Sequence, residues 1–144
     1  MNPNDFTPID PERAEMILSR VAAAAFPKFV GLRYEEVRRD YARMRLPYRP
    51  ELNQPAGVVH GGAIATLVDS VVVGAILSGL EAPPRRFVTI DLHVHYLDAV
   101  VAEDVIAEAR VRRRGGRVVF LEVEVTAADG RGVAHGELSY LVAT

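Results

Sequence analysis

The chain opens with a segment of helical periodicity. Asp10 followed by Pro11 is a typical helix start, because an Asp side chain caps free backbone N–H groups and Pro fits the first turn. Apolar residues then recur at helical spacing at Ala14, Ile17, Leu18, Val21 and Ala25. Because Pro27 interrupts this run, the pattern predicts a first helix over about residues 11–26.

A second helix is predicted over about residues 60–80, where apolar residues cover every side: Ile64, Leu67, Val71, Val72, Val73, Ile76 and Leu77. A helix of this kind is normally enclosed by protein. The segment from Gly57 to Leu80 is also long enough to span a bilayer, with His60 and Asp69 as its only ionisable residues. Asp69 near the middle, without Lys or Arg clusters at either end, argues against that alternative. We therefore predict a buried central helix and no membrane contact.

The remaining segments alternate between apolar and polar residues, as strands with one solvated face do. One or two strands are predicted between Phe29 and Leu46, and further strands at 87–96 and at about 104–113, 117–127 and 132–142. Turns at Gly115-Gly116 and Asp129-Gly130 suggest that the last four strands form a meander. The predicted fold is α+β, an antiparallel sheet wrapped around the central helix.

The strand at 87–96 has the clearest alternation. Its apolar face comprises Val88, Ile90, Leu92, Val94 and Tyr96, and its polar face comprises Thr89, Asp91, His93 and His95. His93 and His95 have a spacing that could share a metal ion, but no further ligand is evident, and a solvent-facing strand explains them more simply.

Composition and charge exclude several classes of protein. The chain has 144 residues, is 49% hydrophobic and 25% charged, and contains no repeat or linker, so it is expected to form one folded domain. The net charge is −2 and the pI is about 6.1, so the chain lacks the excess of basic residues that is typical of nucleic-acid-binding proteins. The absence of cysteine excludes disulfides, thiolate zinc sites and a Cys nucleophile. No secretion signal is recognisable, so the expected location is the cytoplasm.

The central helix carries the candidate chemistry. Asp69 lies among aliphatic residues, where a carboxylate loses hydration, so it is either a structural group bonded to backbone or Arg, or a catalytic base or nucleophile. Gly61-Gly62 at the helix start form either a tight turn or an oxyanion site of backbone N–H groups. Gly61 and Asp69 are roughly 12 Å apart along the helix. One reacting group cannot contact both, so we expect composite sites between two antiparallel helices of a dimer.

Arginines crowd the loop before the strand at 87–96 and the turn near Gly115. They could hold phosphate groups of a ligand, or they could be an ordinary charged surface. The residues concerned are Arg85, Arg86, Arg112, Arg113, Arg114 and Arg117.

The segment QPAGVVHGGAIATLVD, from Gln54 to Asp69, resembles the signature of the hotdog-fold acyl-CoA thioesterases of the PaaI-like (phenylacetate-pathway thioesterase-like) group. The match includes the glycine three residues before His60, the two glycines after it, and the Leu-Val-Asp at 67–69. Thr89-Ile90-Asp91 and the Gly115-Gly116-Arg117 turn also have counterparts, and the resemblance extends from about residue 31 to residue 142. It implies a single hotdog domain over residues 1–144 that forms a homodimer and, by pairing of dimers, a homotetramer.

The resemblance also implies catalytic residues. The backbone N–H of Gly61 would polarise a thioester carbonyl, and Asp69 of the partner subunit would act as general base or nucleophile. A loop amide assists, and the family spacing favours Gln54 over Asn53. Thr89 matches a hydroxyl position that orients the carboxylate or the catalytic water.

His60 is expected to order the loop rather than transfer protons. Substrate contacts are expected at Asn53, Gly62, Ser70, Val73, Arg112, Arg114 and Arg117. The implied activity is hydrolysis of a small, medium-chain or aromatic acyl-CoA, with no metal or cofactor. A hotdog dehydratase is disfavoured because its His-Phe-Pro-type loop is absent. A non-catalytic acyl-CoA-binding module remains the alternative, and a purely structural oligomer would not explain Gly61-Gly62 and Asp69 together.

Overall fold

The computed structural model describes residues 1–143, apart from the side chain of Ala22. Two short 3₁₀ turns lie at Pro3–Asp5 and Pro50–Leu52. The helices and strands within these residues are α1 (Pro11–Ala22), α2 (Ala25–Val30), β1 (Arg33–Arg38), β2 (Tyr41–Leu46), α3 (Gly61–Ser78), β3 (Arg86–Tyr96), β4 (Val105–Arg114), β5 (Val118–Ala127) and β6 (Gly132–Ala143).

One six-stranded sheet, in the order β1-β2-β4-β5-β6-β3, packs against α3. Every neighbouring pair of strands is antiparallel. The side of α3 that faces the sheet is fully buried at Leu67, Val68, Val71, Val72, Ala75 and Ile76. This arrangement confirms the predicted α+β fold, a sheet wrapped around a central helix.

The length and hydropathy of α3 match those of a membrane-spanning helix, and half of the helix is buried inside the protein. Burial against a sheet demands the same apolar composition as burial in lipid. The position of α3 in the core therefore accounts for its hydropathy.

The predicted first helix is wrong in its last turn, residues 23–26. α1 ends at Ala22, and a separate helix, α2, begins at Ala25. Pro27 lies in the first turn of α2, where a missing N–H removes no helical hydrogen bond. Pro27 therefore belongs to the first turn of a new helix and does not end the first one.

The predicted four-strand meander is also wrong. β4, β5 and β6 do form a meander, but β3 pairs with β6 at the far edge and is not paired with β4. Periodicity identifies a strand without specifying its neighbour, and consecutive strands are often separated in a sheet. The position of β3 leaves it as an edge strand with exposed apolar side chains, including Val88 (52% exposed) and Ile90 (55%).

A bulge in β3 overturns the predicted assignment of its two faces. The pairing register with β6 shifts between Thr89 and Asp91, so Ile90 is an extra residue. Thr89 consequently faces α3, although strict alternation had placed it beside Asp91. Tyr96, beyond the bulge, also contacts α3.

Candidate active site

The start of α3 leaves one backbone donor available. His60 is the N-cap, and its Nδ1 accepts a hydrogen bond from the Gly62 N–H at 2.8 Å. The His60 carbonyl accepts from the Ala63 N–H at 2.9 Å. Within residues 1–143, the Gly61 N–H has no acceptor. It therefore remains free at the positive end of the helix dipole, where it can bind a developing negative charge.

Tyr96 packs against this turn and was not singled out from the sequence. Its hydroxyl donates to the Gly61 carbonyl at 2.8 Å, and a methyl group on Gly61 would lie 3.2 Å from the Tyr96 ring. The sequence pattern could not reveal this contact, because it depends on the bulge in β3 and on how that strand crosses α3. Tyr96 thus supports the first turn of α3 from the edge strand β3.

The loop before α3 separates the two candidate amides. The Asn53 Nδ2 donates to the Tyr48 hydroxyl at 3.1 Å, and Asn53 forms an isolated bridge with Val59. Gln54 is exposed, while its backbone N–H bonds to the Val58 carbonyl at 2.8 Å and closes the turn. The Asn53 side chain is therefore held by a contact within the protein, whereas the Gln54 side chain faces the solvent.

Asp69 lies two turns further along α3 and is half-buried. Its Oδ1 accepts a hydrogen bond from the Thr89 hydroxyl at 2.8 Å. The pKa of Tyr140 is raised above its usual value. Burial and the charge of Asp69 raise it, while a hydrogen bond with Thr89 opposes the rise. Asp69, Thr89 and Tyr140 thus form one polar cluster, of which Asp69 and Tyr140 line the groove described next.

An open groove of about 520 Å³ lies between α1, α3 and the loop that follows α3. Ser70 and Val73, two of the predicted substrate contacts, line it beside Asp69. The remaining wall is largely apolar and includes Ile17, Val21, Leu77, Leu80, Phe87 and Tyr140. Its size and lining suit an apolar group attached to a polar reacting centre.

The three expected arginine contacts lie in different places. Arg114 donates from Nε to Asp40 at 2.7 Å and from Nη2 to the Ile76 carbonyl at 2.9 Å, so it closes the C-terminal end of α3. Arg112 lies 3.4 Å from Glu122 in a second hollow, separate from the groove. Arg117 is exposed at the β4–β5 turn. The structure gives Arg114 a structural task that the sequence pattern did not suggest.

His93 takes part in a pair with Asp91, its Nε2 lying 2.9 Å from the Asp91 Oδ1. Over the described part of the chain, no three His, Cys, Asp or Glu side chains come together as a metal site would require. These two residues are therefore explained by their place on the solvent-facing side of the sheet.

The fold is that of hotdog proteins, and comparison with known proteins identifies the family. The chain belongs to the thioesterase superfamily, whose family model matches residues 56–134, more than half of its length. A candidate esterase of Halobacterium salinarum is 37% identical over 123 residues, which cover 82% of this chain and 81% of that protein. Acyl-coenzyme A thioesterase 13 of Homo sapiens is 34% identical over 82 residues, or 56% of this chain and 57% of that protein.

The solved structure of the E. coli PaaI protein, from the phenylacetic acid degradation operon, superimposes with a TM-score of 0.82. The match covers 92% of this chain and 95% of that one at 17% sequence identity, so it establishes the shared fold. These matches confirm the resemblance to the hotdog thioesterases, and thioester hydrolysis is the activity that they support.

Proposed function

We propose that this protein hydrolyses acyl-CoA thioesters in a site made by two copies of the chain. The observation that carries the proposal is the free Gly61 N–H at the start of the helix that also bears Asp69. A hydrogen-bond donor for an oxyanion and a carboxylate that can activate water are the two groups that thioester hydrolysis needs. The name of the human relative supports coenzyme A as the carrier of the thioester.

The chemistry follows from the two groups. Water adds to the thioester carbonyl while Asp69 takes its proton, and the Gly61 N–H stabilises the negative charge on the carbonyl oxygen. The C–S bond then breaks and expels the coenzyme A thiolate, which takes the proton from Asp69, so that the products are the acid and the free thiol. Direct attack by Asp69 would instead give an acyl-aspartyl anhydride that water hydrolyses. Both routes use the same residues.

Thr89 and Gln54 have supporting tasks in this proposal. The hydrogen bond from Thr89 holds one oxygen of Asp69 and leaves the other free for water or the substrate. Gln54, exposed on the loop before α3, would orient the carbonyl or the water. His60 holds the helix start through its bond with Gly62. Arg117 remains a candidate contact for the coenzyme A phosphates.

A second copy of the chain is needed because Gly61 and Asp69 are roughly 12 Å apart along α3. Two α3 helices packed antiparallel would bring the Gly61 of one copy close to the Asp69 of the other. The exposed edge of β3 and its apolar side chains give a surface on which a second copy could pack. The proposal therefore includes a dimer with two equivalent composite sites.

Release of coenzyme A from a panel of short, medium-chain, long and aromatic acyl-CoAs tests the function. We expect turnover of acyl groups that fit the apolar groove of about 520 Å³, followed with a thiol reagent. If no thioester is hydrolysed and acyl-CoA still raises the melting temperature, catalysis is excluded and the protein is an acyl-CoA-binding module.

Mixing two inactive variants tests the composite site. Asp69→Asn removes the base and Gly61→Pro removes the N–H, so each homodimer should be inactive. If the two variants are unfolded and refolded together, about half of the dimers are mixed and each has one intact site, which restores about a quarter of the activity. Mixing without exchange of subunits is the control. If each site used Gly61 and Asp69 of the same chain, no activity would return.

A further inference from the structure

The Tyr34 side chain extends from β1 and places its hydroxyl against the backbone of α3. The hydroxyl accepts a hydrogen bond from the Gly74 N–H at 2.9 Å and donates to the Ser70 carbonyl at 2.8 Å. The Val71 carbonyl lies 3.3 Å away as a second acceptor. None of the sequence patterns pointed to this tyrosine.

The two groups that it bridges are partners in a regular α-helix, where the N–H of one residue bonds to the carbonyl four residues earlier. A side chain inserted between such partners is an established cause of a bend in a helix. The affected turn runs from Ser70 to Gly74, so it begins at the residue directly after Asp69. The Tyr34 hydroxyl therefore contacts the backbone of the turn that directly follows the candidate catalytic carboxylate.

Two features of the chain make room for this insertion. The pairing of β1 with β2 shifts between Tyr34 and Glu36, which marks an irregularity at this strand position. A methyl group on Gly74 would lie 2.8 Å from the Tyr34 ring and 3.1 Å from the Ala42 side chain, so only glycine fits. Burial raises the pKa of Tyr34 far above its usual range, which keeps the hydroxyl protonated and able to donate.

We propose that Tyr34 is a positioning residue for Asp69: by bridging Ser70 and Gly74, its hydroxyl sets the course of α3 that places the carboxylate against Thr89 and the groove. This inference rests on the proposed function, in which Asp69 is the catalytic carboxylate. Ser70 and Val73, which also line the groove, belong to the same turn. Tyr34 itself approaches α3 from the sheet, contacts no substrate and acts only through the helix.

Replacement of Tyr34 by phenylalanine separates positioning from stabilisation. Without the hydroxyl, the Gly74 N–H and the Ser70 carbonyl can bond to each other, so the helix keeps its hydrogen bonds and the melting temperature changes little. We expect the carboxylate to move when the turn loses its contact with the hydroxyl, and a displacement of about 1 Å can cost about 100-fold in rate. For Tyr34→Phe we therefore expect kcat to fall by about 10- to 100-fold, with KM nearly unchanged.

Tyr41→Phe is the matched control. Tyr41 lies on the neighbouring strand β2 and is fully buried, and its hydroxyl bonds to Glu108 at 2.5 Å and not to α3. This variant loses the same atom from a buried tyrosine, and its kcat should remain that of the wild type. The proposal is overturned if Tyr34→Phe keeps the wild-type kcat, or if both variants lose kcat equally. A fall in melting temperature with kcat unchanged for the folded fraction would show a structural role alone.

A crystal structure of Tyr34→Phe gives a test that does not depend on activity. We expect a direct bond between the Gly74 N–H and the Ser70 carbonyl, and a change in the 2.8 Å separation of Asp69 and Thr89. An unmoved Asp69 carboxylate would refute the positioning role. If the wild type releases no coenzyme A, the proposed function fails, and this structural comparison alone decides the role of Tyr34.

Discussion

Replacing Asp69 with asparagine is expected to lower kcat for acyl-CoA hydrolysis by about 10²- to 10⁴-fold, the usual contribution of a general base. The asparagine oxygen can still accept the hydrogen bond from Thr89, so the site keeps its shape. The amide cannot take a proton from water and is a poor nucleophile. Steady-state release of coenzyme A measures the loss, and the melting temperature should stay close to that of the wild type.

Asp91→Asn provides the matched control for Asp69→Asn. Asp91 lies on β3 like Thr89, but its carboxylate is 54% exposed and faces the solvent side of the sheet. This variant removes the same charge close to the site without touching the groove, so its kcat should be unchanged. Wild-type turnover by Asp69→Asn would contradict the assigned role of Asp69.

Replacing Gly61 with proline is expected to lower kcat by about 10²- to 10³-fold, the usual cost of losing one oxyanion-hole donor. Proline is well suited to the first position of a helix, and His60 already has the extended conformation that the residue before a proline prefers. The substitution therefore deletes an N–H that makes no bond within the described chain and leaves the helix intact. Kinetics on the best acyl-CoA of the panel provide the measurement.

Gly61→Ala is the control that isolates the N–H. It keeps the donor and brings a methyl group to 3.2 Å from the Tyr96 ring, the same crowding that proline introduces. We expect Gly61→Ala to retain much more activity than Gly61→Pro. Equal losses in the two variants would assign the effect to displacement of Tyr96 and would remove the Gly61 N–H from the mechanism.

The central helix could be predicted closely from the sequence. Residues 60–80 were expected to be helical and buried, and α3 spans Gly61–Ser78 with His60 as its cap. The apolar residues on every side of this segment leave burial as its main stable environment in water. The alternation of apolar and polar residues predicted the strands, and the glycines predicted the turns between them. Both patterns reflect the local geometry of the segment in which they occur.

The parts of the site that the sequence did not predict all depend on contacts between distant segments. Tyr34 and Gly74 are 40 residues apart, and Tyr96 and Gly61 are 35 apart. The pattern of β3 predicted a strand, but the extra residue at Ile90 interrupts the alternation. Side chains before and after it therefore do not follow one continuous pattern of faces. Thr89 was selected through a family resemblance, whereas the strand's alternation placed it on the wrong side.

The local order of residues along this chain was enough to specify a buried helix, a sheet around it, a glycine pair at the helix start and a carboxylate two turns later. Hydrophobic periodicity and helix capping act over a few residues, so they can be recognised without knowing the neighbours. The pairing of β3 with β6, the bulge that turns Thr89 to Asp69, and the hydroxyls of Tyr34 and Tyr96 against α3 arose from tertiary packing. They depend on which distant side chains share the same space, and no local pattern encodes that information.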